Sequence, residues 1–227
     1  MLFPFDSQKV LLSVVYSNRK DGTMNSKENN GKRNLKKFQI ENNFDPSLSS
    51  QMLQTHSKRI CKISPGVVKK CDGLVIENAE ISGIVRTADC LPIVLFNPKT
   101  KMLCILHAGY KGLEKEILQN GILKMKGETC DIYAFLGPSI CVNCYEVDGG
   151  RYKRFERKFN FPVGIKKNNK YFLDLRKIAT QILLNNGISS SCVQQLDYCT
   201  HEDDRFFSYR GGDINSRFVT MAKYEHV

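Results

Sequence analysis

The sequence predicts an α+β domain of mixed β-sheets with flanking helices, and three observations carry that expectation. Runs rich in β-branched and large apolar residues follow one another at positions 81–87, 91–96 and 102–107, separated by turn residues. Helical periodicity is confined to a few separate stretches. No strand–helix–strand unit repeats along the chain, so a purely parallel sheet is not expected.

The elements follow in order. Residues 10–16 form an apolar run with no basic cluster before it and no small-residue cleavage site after it, so it reads as a first strand and not as a signal peptide. Residues 18–50 are polar, rich in Asn, Lys and Ser, and read as loops with one helix near 34–41. Asn97-Pro98 marks the turn that ends the second strand of the central cluster. Residues 110–126 place Leu113, Ile117, Leu118, Ile122 and Met125 near one helical face, with Gly121 weakening the later half. A strand over 130–136 ends at Gly137-Pro138, and a helix over 174–186 has Asp174 as its cap and Gly187 at its close. Strands resume at 192–196, 206–209 and 218–224. With no internal repeat and no linker, residues 1–227 are expected to form one domain.

Composition narrows the class. Hydrophobic residues make up 41% and charged residues 25%, which excludes disordered, collagen-like and coiled-coil chains. No apolar run approaches the roughly 18 residues of a membrane span, so a soluble protein is expected. Nine cysteines at scattered spacings, an odd number in a chain too large to need staples, read as reduced thiols of a cytoplasmic protein. A formal charge of +11 fits a nucleic-acid partner, an anionic substrate or a lysine-rich surface alike. The segment Arg151-Tyr152-Lys153-Arg154-Phe155-Glu156-Arg157-Lys158 interleaves aromatics with cations as single-strand binders do. The same spacing describes an amphipathic helix with Tyr152, Phe155 and Phe159 turned inward, which is the preferred reading.

Chemistry is sought where strands end in residues that a core would not choose. Thr87-Ala88-Asp89-Cys90-Leu91-Pro92 sets a carboxylate and a thiol between two apolar strands, and Leu106-His107-Ala108-Gly109-Tyr110 ends a strand in an imidazole. Gln54-Thr55-His56-Ser57 is a third polar break. His56, Cys90 and His107 make one thiol and two imidazoles, donors that suit zinc with a position left for water or substrate. Their spacings match no compact zinc motif, and each residue singly reads as well as an ordinary core or surface group. Cys141-Val142-Asn143-Cys144 lacks a second pair and reads as structural thiols, and His201 as an ordinary histidine.

Four motifs in order resemble those of the YfiH family. They are Thr87-Ala88-Asp89-Cys90-Leu91-Pro92; His107-Ala108-Gly109-Tyr110-Lys111-Gly112; Gly137-Pro138-Ser139-Ile140 with Cys144-Tyr145-Glu146-Val147; and Cys199-Thr200 with Phe206-Phe207-Ser208-Tyr209-Arg210. The resemblance runs from about His56 to the C-terminus. It implies an α+β fold related to cysteine hydrolase-like domains, in a family labelled polyphenol oxidase or laccase and described as purine nucleoside phosphorylases. It also implies a metal held by the His of Gln-x-His, the Cys of Ala-Asp-Cys and the His of His-Ala-Gly, here His56, Cys90 and His107. Zinc is the implied metal, with copper as the variant. The implied reaction is phosphorolysis of adenosine, inosine and methylthioadenosine, with adenosine deamination beside it; purine nucleosides and inorganic phosphate are then the partners. Where the family usually has Trp-Arg after His-Ala-Gly, this chain has Tyr110-Lys111, which keeps an aromatic and a cation but loses a bidentate guanidinium.

On that reading Asp89, next to the thiol ligand, is expected to carry a proton or orient the site together with Cys90 and His107. Phosphate needs cations, and Arg210 is the expected anion contact, with Tyr209, Lys111 and Arg19 as further candidates. Three other classes remain open at this level. Cys90 with His107 and Asp89 has the chemistry of a nucleophile and base for amide hydrolysis. A single copper on His56, Cys90 and His107 would suit a phenol oxidoreductase, although four histidines are too few for a type 1 copper plus a trinuclear cluster. The basic charge alone would suit a nucleic-acid-binding module.

Overall fold

Alternating apolar side chains decide how the strands of this protein stack. In a computed structural model that describes residues 1–28, 30–62 and 68–227, the chain opens with the hairpin β1 (Leu2–Phe5) and β2 (Val10–Tyr16), followed by α1 (Gly31–Glu41). Next come β3 (Ser49–Met52), β4 (Ile60–Lys62), β5 (Val68–Lys69), β6 (Gly73–Ile76), β7 (Ser82–Thr87), β8 (Leu91–Asn97) and β9 (Met102–Ala108). The helices α2 (Tyr110–Glu114) and α3 (Ile117–Lys124) lead to β10 (Tyr133–Leu136), β11 (Glu146–Val147) and α4 (Gly149–Lys158). The chain ends with β12 (Gly164–Lys167), β13 (Lys170–Leu173), α5 (Leu175–Asn185), β14 (Val193–Gln195) and β15 (Phe218–His226).

Two six-stranded sheets result, ordered β1-β2-β15-β7-β3-β5 and β14-β10-β8-β9-β6-β4, beside a small sheet β11-β13-β12. Both large sheets mix parallel and antiparallel pairs. β8 and β9 are buried along their whole length, which explains why they read as continuous apolar runs instead of alternating ones. Val94, Phe96, Leu103 and Ile105 meet Val10, Leu12, Val85 and Tyr224 of the first sheet, while Leu91, Ile93, Leu95, Cys104 and Leu106 face a core shared with α2, α3 and α5. On the far side of the first sheet, Ile84, Val219 and Met221 pack on Leu35 and Phe38 of α1. The architecture is therefore helix, sheet, sheet, helices, which is the mixed α+β arrangement expected. Among the described residues no helix is long and apolar enough to cross a membrane.

Several expectations shift. The strand at 10–16 is present but second, because Leu2–Phe5 pairs antiparallel with it at the sheet edge. The helix expected near 34–41 starts at Gly31; Asn29, in the same polar stretch, lies outside the described residues. The stretch 110–126 is broken, but at Glu116, which has a left-handed φ of 71°, and not at Gly121. Gly121 lies inside α3 because a Cβ there would stand 2.7 Å from Leu106 Cδ1, so the missing side chain lets the helix sit close to β9. The strand expected at 130–136 is shortened to β10 by a 3₁₀ turn at Thr129–Asp131. Residues 206–209 are not a strand: Ser208 N–H and Arg210 N–H donate to the carboxylates of Asp213 and Asp89, so the backbone polar groups leave no ladder to form.

The interleaved segment forms α4 with Tyr152, Phe155 and the following Phe159 buried, Lys153, Arg154, Arg157 and Lys158 exposed and Arg151 half-buried, so its aromatic faces are not offered to nucleic-acid bases. Truncating the fully buried ring with Phe155→Ala should cost about 4 kcal/mol in urea unfolding. Lys153→Ala on the exposed face of the same helix should change stability by less than about 0.5 kcal/mol.

Candidate metal centre and its surroundings

The candidate centre lies where the chain passes between the two sheets. β3 belongs to the first sheet and β4 to the second, and the loop between them carries His56. β7 and β8 are likewise in different sheets, and the turn joining them carries Asp89 and Cys90. His107 stands near the end of β9, just before the turn into α2. Gln54 pins its loop to β7: its side-chain amide donates to Arg86 O at 2.7 Å, and its carbonyl accepts from Arg86 N at 2.9 Å.

A fully buried carboxylate, Asp72, ties two of these segments together. It accepts from the backbone N–H groups of Thr55 (3.1 Å), His56 (2.9 Å) and Ser57 (2.7 Å), from Ser57 Oγ (2.7 Å) and from His107 Nδ1 (2.9 Å). Burial by itself would raise its pKa, but the bonds from His107 and Ser57 prevail and hold it well below the usual carboxylate range. With Nδ1 occupied by Asp72, His107 turns Nε2 toward the other two donors.

His56, Cys90 and His107 are brought together: their ligand atoms all lie within 4.8 Å of one another, and Cys90 Sγ is 3.8 Å from His56 Nε2. The two imidazoles meet edge to face with centroids 4.7 Å apart. A tetrahedral zinc holds thiolate and imidazole donors about 3.3–3.8 Å apart, so these three fit one ion after a modest contraction. The opening of α2 leaves room for them because position 109 is glycine. A Cβ there would fall 2.7 Å from Cys90 Sγ and 3.2 Å from His56 Cδ2. His56 (φ 56°) and Asp89 (φ 86°) both take left-handed backbone, a strained state for residues with a side chain. Although burial opposes its ionisation, the Cys90 thiol is lowered to about 6 by His107 and His56; burial would also lower His107, yet Cys90 and Asp72 raise it to about 9.

The remaining expected residues divide. Asp89 points away from the histidines in its bonding: Oδ1 accepts from Thr200 Oγ1 and Ser208 Oγ, both at 2.8 Å, and Oδ2 from Arg210 N at 2.7 Å. The carboxylate on His107 is Asp72, which sequence reasoning missed; the available signal was an acid placed directly before the wholly buried strand Gly73–Ile76. Arg210 lies over the Tyr145 ring (5.3 Å to the centroid) and donates to Glu146 O at 2.9 Å. Tyr145 is close enough to Cys90, Arg151, Arg210 and Tyr110 to feel their charges. Arg151 stacks on Tyr110 at 4.1 Å, and its Nε is buried with no hydrogen-bond partner among the described residues. It supplies a guanidinium beside the Tyr110-Lys111 pair, where the sequence reading places it among the surface cations of an amphipathic helix. Lys111 is exposed and sits 5.8 Å from the Tyr110 ring centroid. Arg19 is taken up by Asp213 (2.8 Å) and the carbonyls of Asp204 and Phe206, with Phe207 beneath it. Tyr209 is exposed, with Arg217 over its ring.

Stacked mixed sheets with a two-histidine, one-cysteine cluster at their crossing, backed by a buried carboxylate, define an α+β protein with a candidate metal centre between its sheets. The chain belongs to the YfiH family, whose model, described as multi-copper polyphenol oxidoreductase laccase, matches residues 16–224. It is 30% identical over 177 residues to a purine nucleoside phosphorylase of Campylobacter jejuni, covering 75% of each chain. It is 31% identical to adenosine deaminase RL5 of an unknown prokaryotic organism, covering 72% of this chain and 70% of that one. The structure of Bacillus licheniformis YfiH superposes with a TM-score of 0.82 at 23% identity, over 97% of this chain and 98% of that one. The donors do not fit the multi-copper description. Of four histidines, His201 and His226 lie elsewhere, beside Ser208 and Lys101, which leaves one histidine-bearing ligand set, too few imidazoles for a multi-copper cluster.

Asp72→Asn should lower stability by roughly 3 kcal/mol, because three backbone donors and His107 lose a buried anion. It should also weaken metal binding roughly 10- to 100-fold in a competition titration. A depressed carboxylate stabilises the fold above its ordinary pKa of about 3.9 and stops doing so as pH falls toward its folded value, so the acid limb of urea stability should flatten in the variant. In metal-stripped protein, iodoacetamide should label Cys90 with a rate that rises through a midpoint near pH 6, and added zinc should abolish that labelling.

Proposed function

We propose that this protein is a cytoplasmic, zinc-dependent purine nucleoside phosphorylase that cleaves inosine, adenosine and methylthioadenosine with inorganic phosphate, giving free base and ribose 1-phosphate, or 5-methylthioribose 1-phosphate from methylthioadenosine. The observation that carries this reading is the convergence of His56, Cys90 and His107 beside a wall of Tyr110, Tyr145, Arg151 and Arg210. The name of the Campylobacter jejuni relative agrees with it.

His56 Nε2, Cys90 Sγ and His107 Nε2 would hold the ion, and Asp72 keeps His107 in the tautomer that can bind it. When bound, a divalent cation supplies Lewis acidity toward an oxygen of the reactants. The rest falls to the chain. Arg210 and Arg151 offer guanidinium donors to phosphate, and Arg151 Nε is a buried donor that a bound anion would satisfy. Tyr145, pushed up by burial and by the Cys90 charge, keeps its phenol proton at neutral pH and can donate it to a substrate oxygen or to the departing base. Tyr110 and Tyr145 hold the two guanidiniums by cation–π contact. Asp89 acts on this site by holding Ser208, Thr200 and the Arg210 backbone in place, as a positioning residue.

A second reading, amide hydrolysis by a Cys90 nucleophile, is favoured by one observation: Cys90, His107 and Asp72 stand in the order of a thiol, its base and an orienting carboxylate. Adenosine separates the readings, because phosphorolysis yields adenine, deamination yields inosine, and a thiol hydrolase yields neither. Purified protein with adenosine and phosphate should release adenine and ribose 1-phosphate, with Cys90→Ala inactive. Equal traces from both proteins would reject the proposal, as would inosine as the sole product, formed at a rate independent of phosphate. Arg151→Gln should raise the KM for phosphate roughly 10- to 100-fold, the worth of a charge-assisted hydrogen bond.

A further inference from the structure

Apart from His56, Cys90 and His107, the structure gathers a second set of metal-ligating side chains. Cys141 and Cys144 come from the segment after β10, and Cys199 and Glu202 from the segment after β14. One ligand atom from each of the four lies within 4.8 Å of every other. The Glu202 carboxylate spans both thiols of the pair, with Cys144 Sγ 3.2 Å from Oε1 and Cys141 Sγ 3.6 Å from Oε2. The Cys141 backbone N–H donates to Cys199 Sγ at 3.3 Å, the kind of contact that stabilises a metal-bound thiolate.

The two segments are held in register before any ion arrives. Ser139 and Cys199 form a parallel bridge, Thr200 N donates to Ser139 O at 3.2 Å, and the buried Arg176 donates to Ser139 O and Tyr198 O. Three thiols and a carboxylate are a tetrahedral donor set, and sulfurs on one zinc stand about 3.8 Å apart, within reach of the separations seen.

We propose that Cys141, Cys144, Cys199 and Glu202 form a second, structural zinc site. Binding releases the three thiol protons to solvent and replaces the thiol–carboxylate hydrogen bonds with four bonds to the ion. No position is left open, so the site clamps and does not catalyse. It joins the segment that carries Tyr145 to the segment that carries Thr200, Ser208 and Arg210, which also holds Asp89.

The test uses Cys90→Ala protein, in which the first centre has lost its thiolate. It should retain one equivalent of zinc after dialysis, and cobalt(II) should give it thiolate-to-cobalt charge-transfer absorption that disappears in Cys90→Ala/Cys199→Ser. Glu202→Gln in the same background should keep the absorption and bind at least about tenfold more weakly. Should Cys199→Ser fail to fold, alkylation of the otherwise unaltered Cys90→Ala chain decides: one equivalent of zinc should protect Cys141, Cys144 and Cys199 together. Absence of charge transfer in Cys90→Ala, equal alkylation of the three thiols with and without zinc, or a disulfide among them in protein purified with zinc and reductant would each overturn the proposal. None of these outcomes depends on phosphorylase activity, so this inference and the functional reading fail separately.

Discussion

One buried anion sets the conditions for everything around the candidate centre. Asp72 has no contact with solvent, and an ionised carboxylate in such a place is tolerable only when its lone pairs are occupied. They are, by three consecutive backbone N–H groups of the His56 loop, by the Ser57 hydroxyl and by His107. The loop after β3 and the end of β9 are thereby fixed to one another through a group that belongs to neither. Any shift that would part the two imidazoles must first uncover that charge. The same bonds that make the burial affordable also select which ring nitrogen of His107 remains available, so folding and ligand geometry share one cause.

Strain collects at the same place. His56 and Asp89 both hold left-handed backbone at a cost on the order of 1–3 kcal/mol each, and each has a compensating set of bonds. For His56 it is the Asp72 carboxylate accepting its own N–H. For Asp89 it is the side chain accepting from Thr200, Ser208 and Arg210, more than a hundred residues downstream. The turn that carries Cys90 from the first sheet to the second is thus coupled to the segment before β15. Gly109 completes the arrangement by leaving out the one atom that would fill the space between sulfur and imidazole. A cluster of donors from three connections is rigid here because each connection is anchored by polar contacts as well as by the sheets it joins.

Much of the fold was legible. β8, β9, α4, α5 and β15 appear close to where periodicity and turn residues placed them, because each is long or buried enough for its pattern to dominate. The failures were local. At 206–209 two buried phenylalanines imitate a strand, but their neighbours' amides are committed to Asp89 and Asp213. Short pieces such as β4, β5 and β11 carry too few residues for any period to register, and pairing with a neighbour is what makes them strands. His56, Cys90 and His107 were visible as residues out of place in apolar surroundings, and family motifs singled them out. Asp72 was overlooked because an aspartate before a strand is ordinary until its burial is known.

Residue chemistry and order along the chain determined the class of this protein: an α+β domain, strand ends bearing soft donors, an inward-facing aromatic stripe on α4 and membership of a known family. These are properties of local pattern, and local pattern is written in the sequence. Which carboxylate orients His107, which guanidinium keeps a buried donor without a partner among the described residues, and whether Cys141 and Cys144 have companions were decided only by the tertiary structure. Each depends on a contact between segments tens of residues apart, such as Asp72 with His107 or Cys141 with Cys199. Spacing along a chain holds no record of distances set by two stacked sheets and by the connections that cross between them.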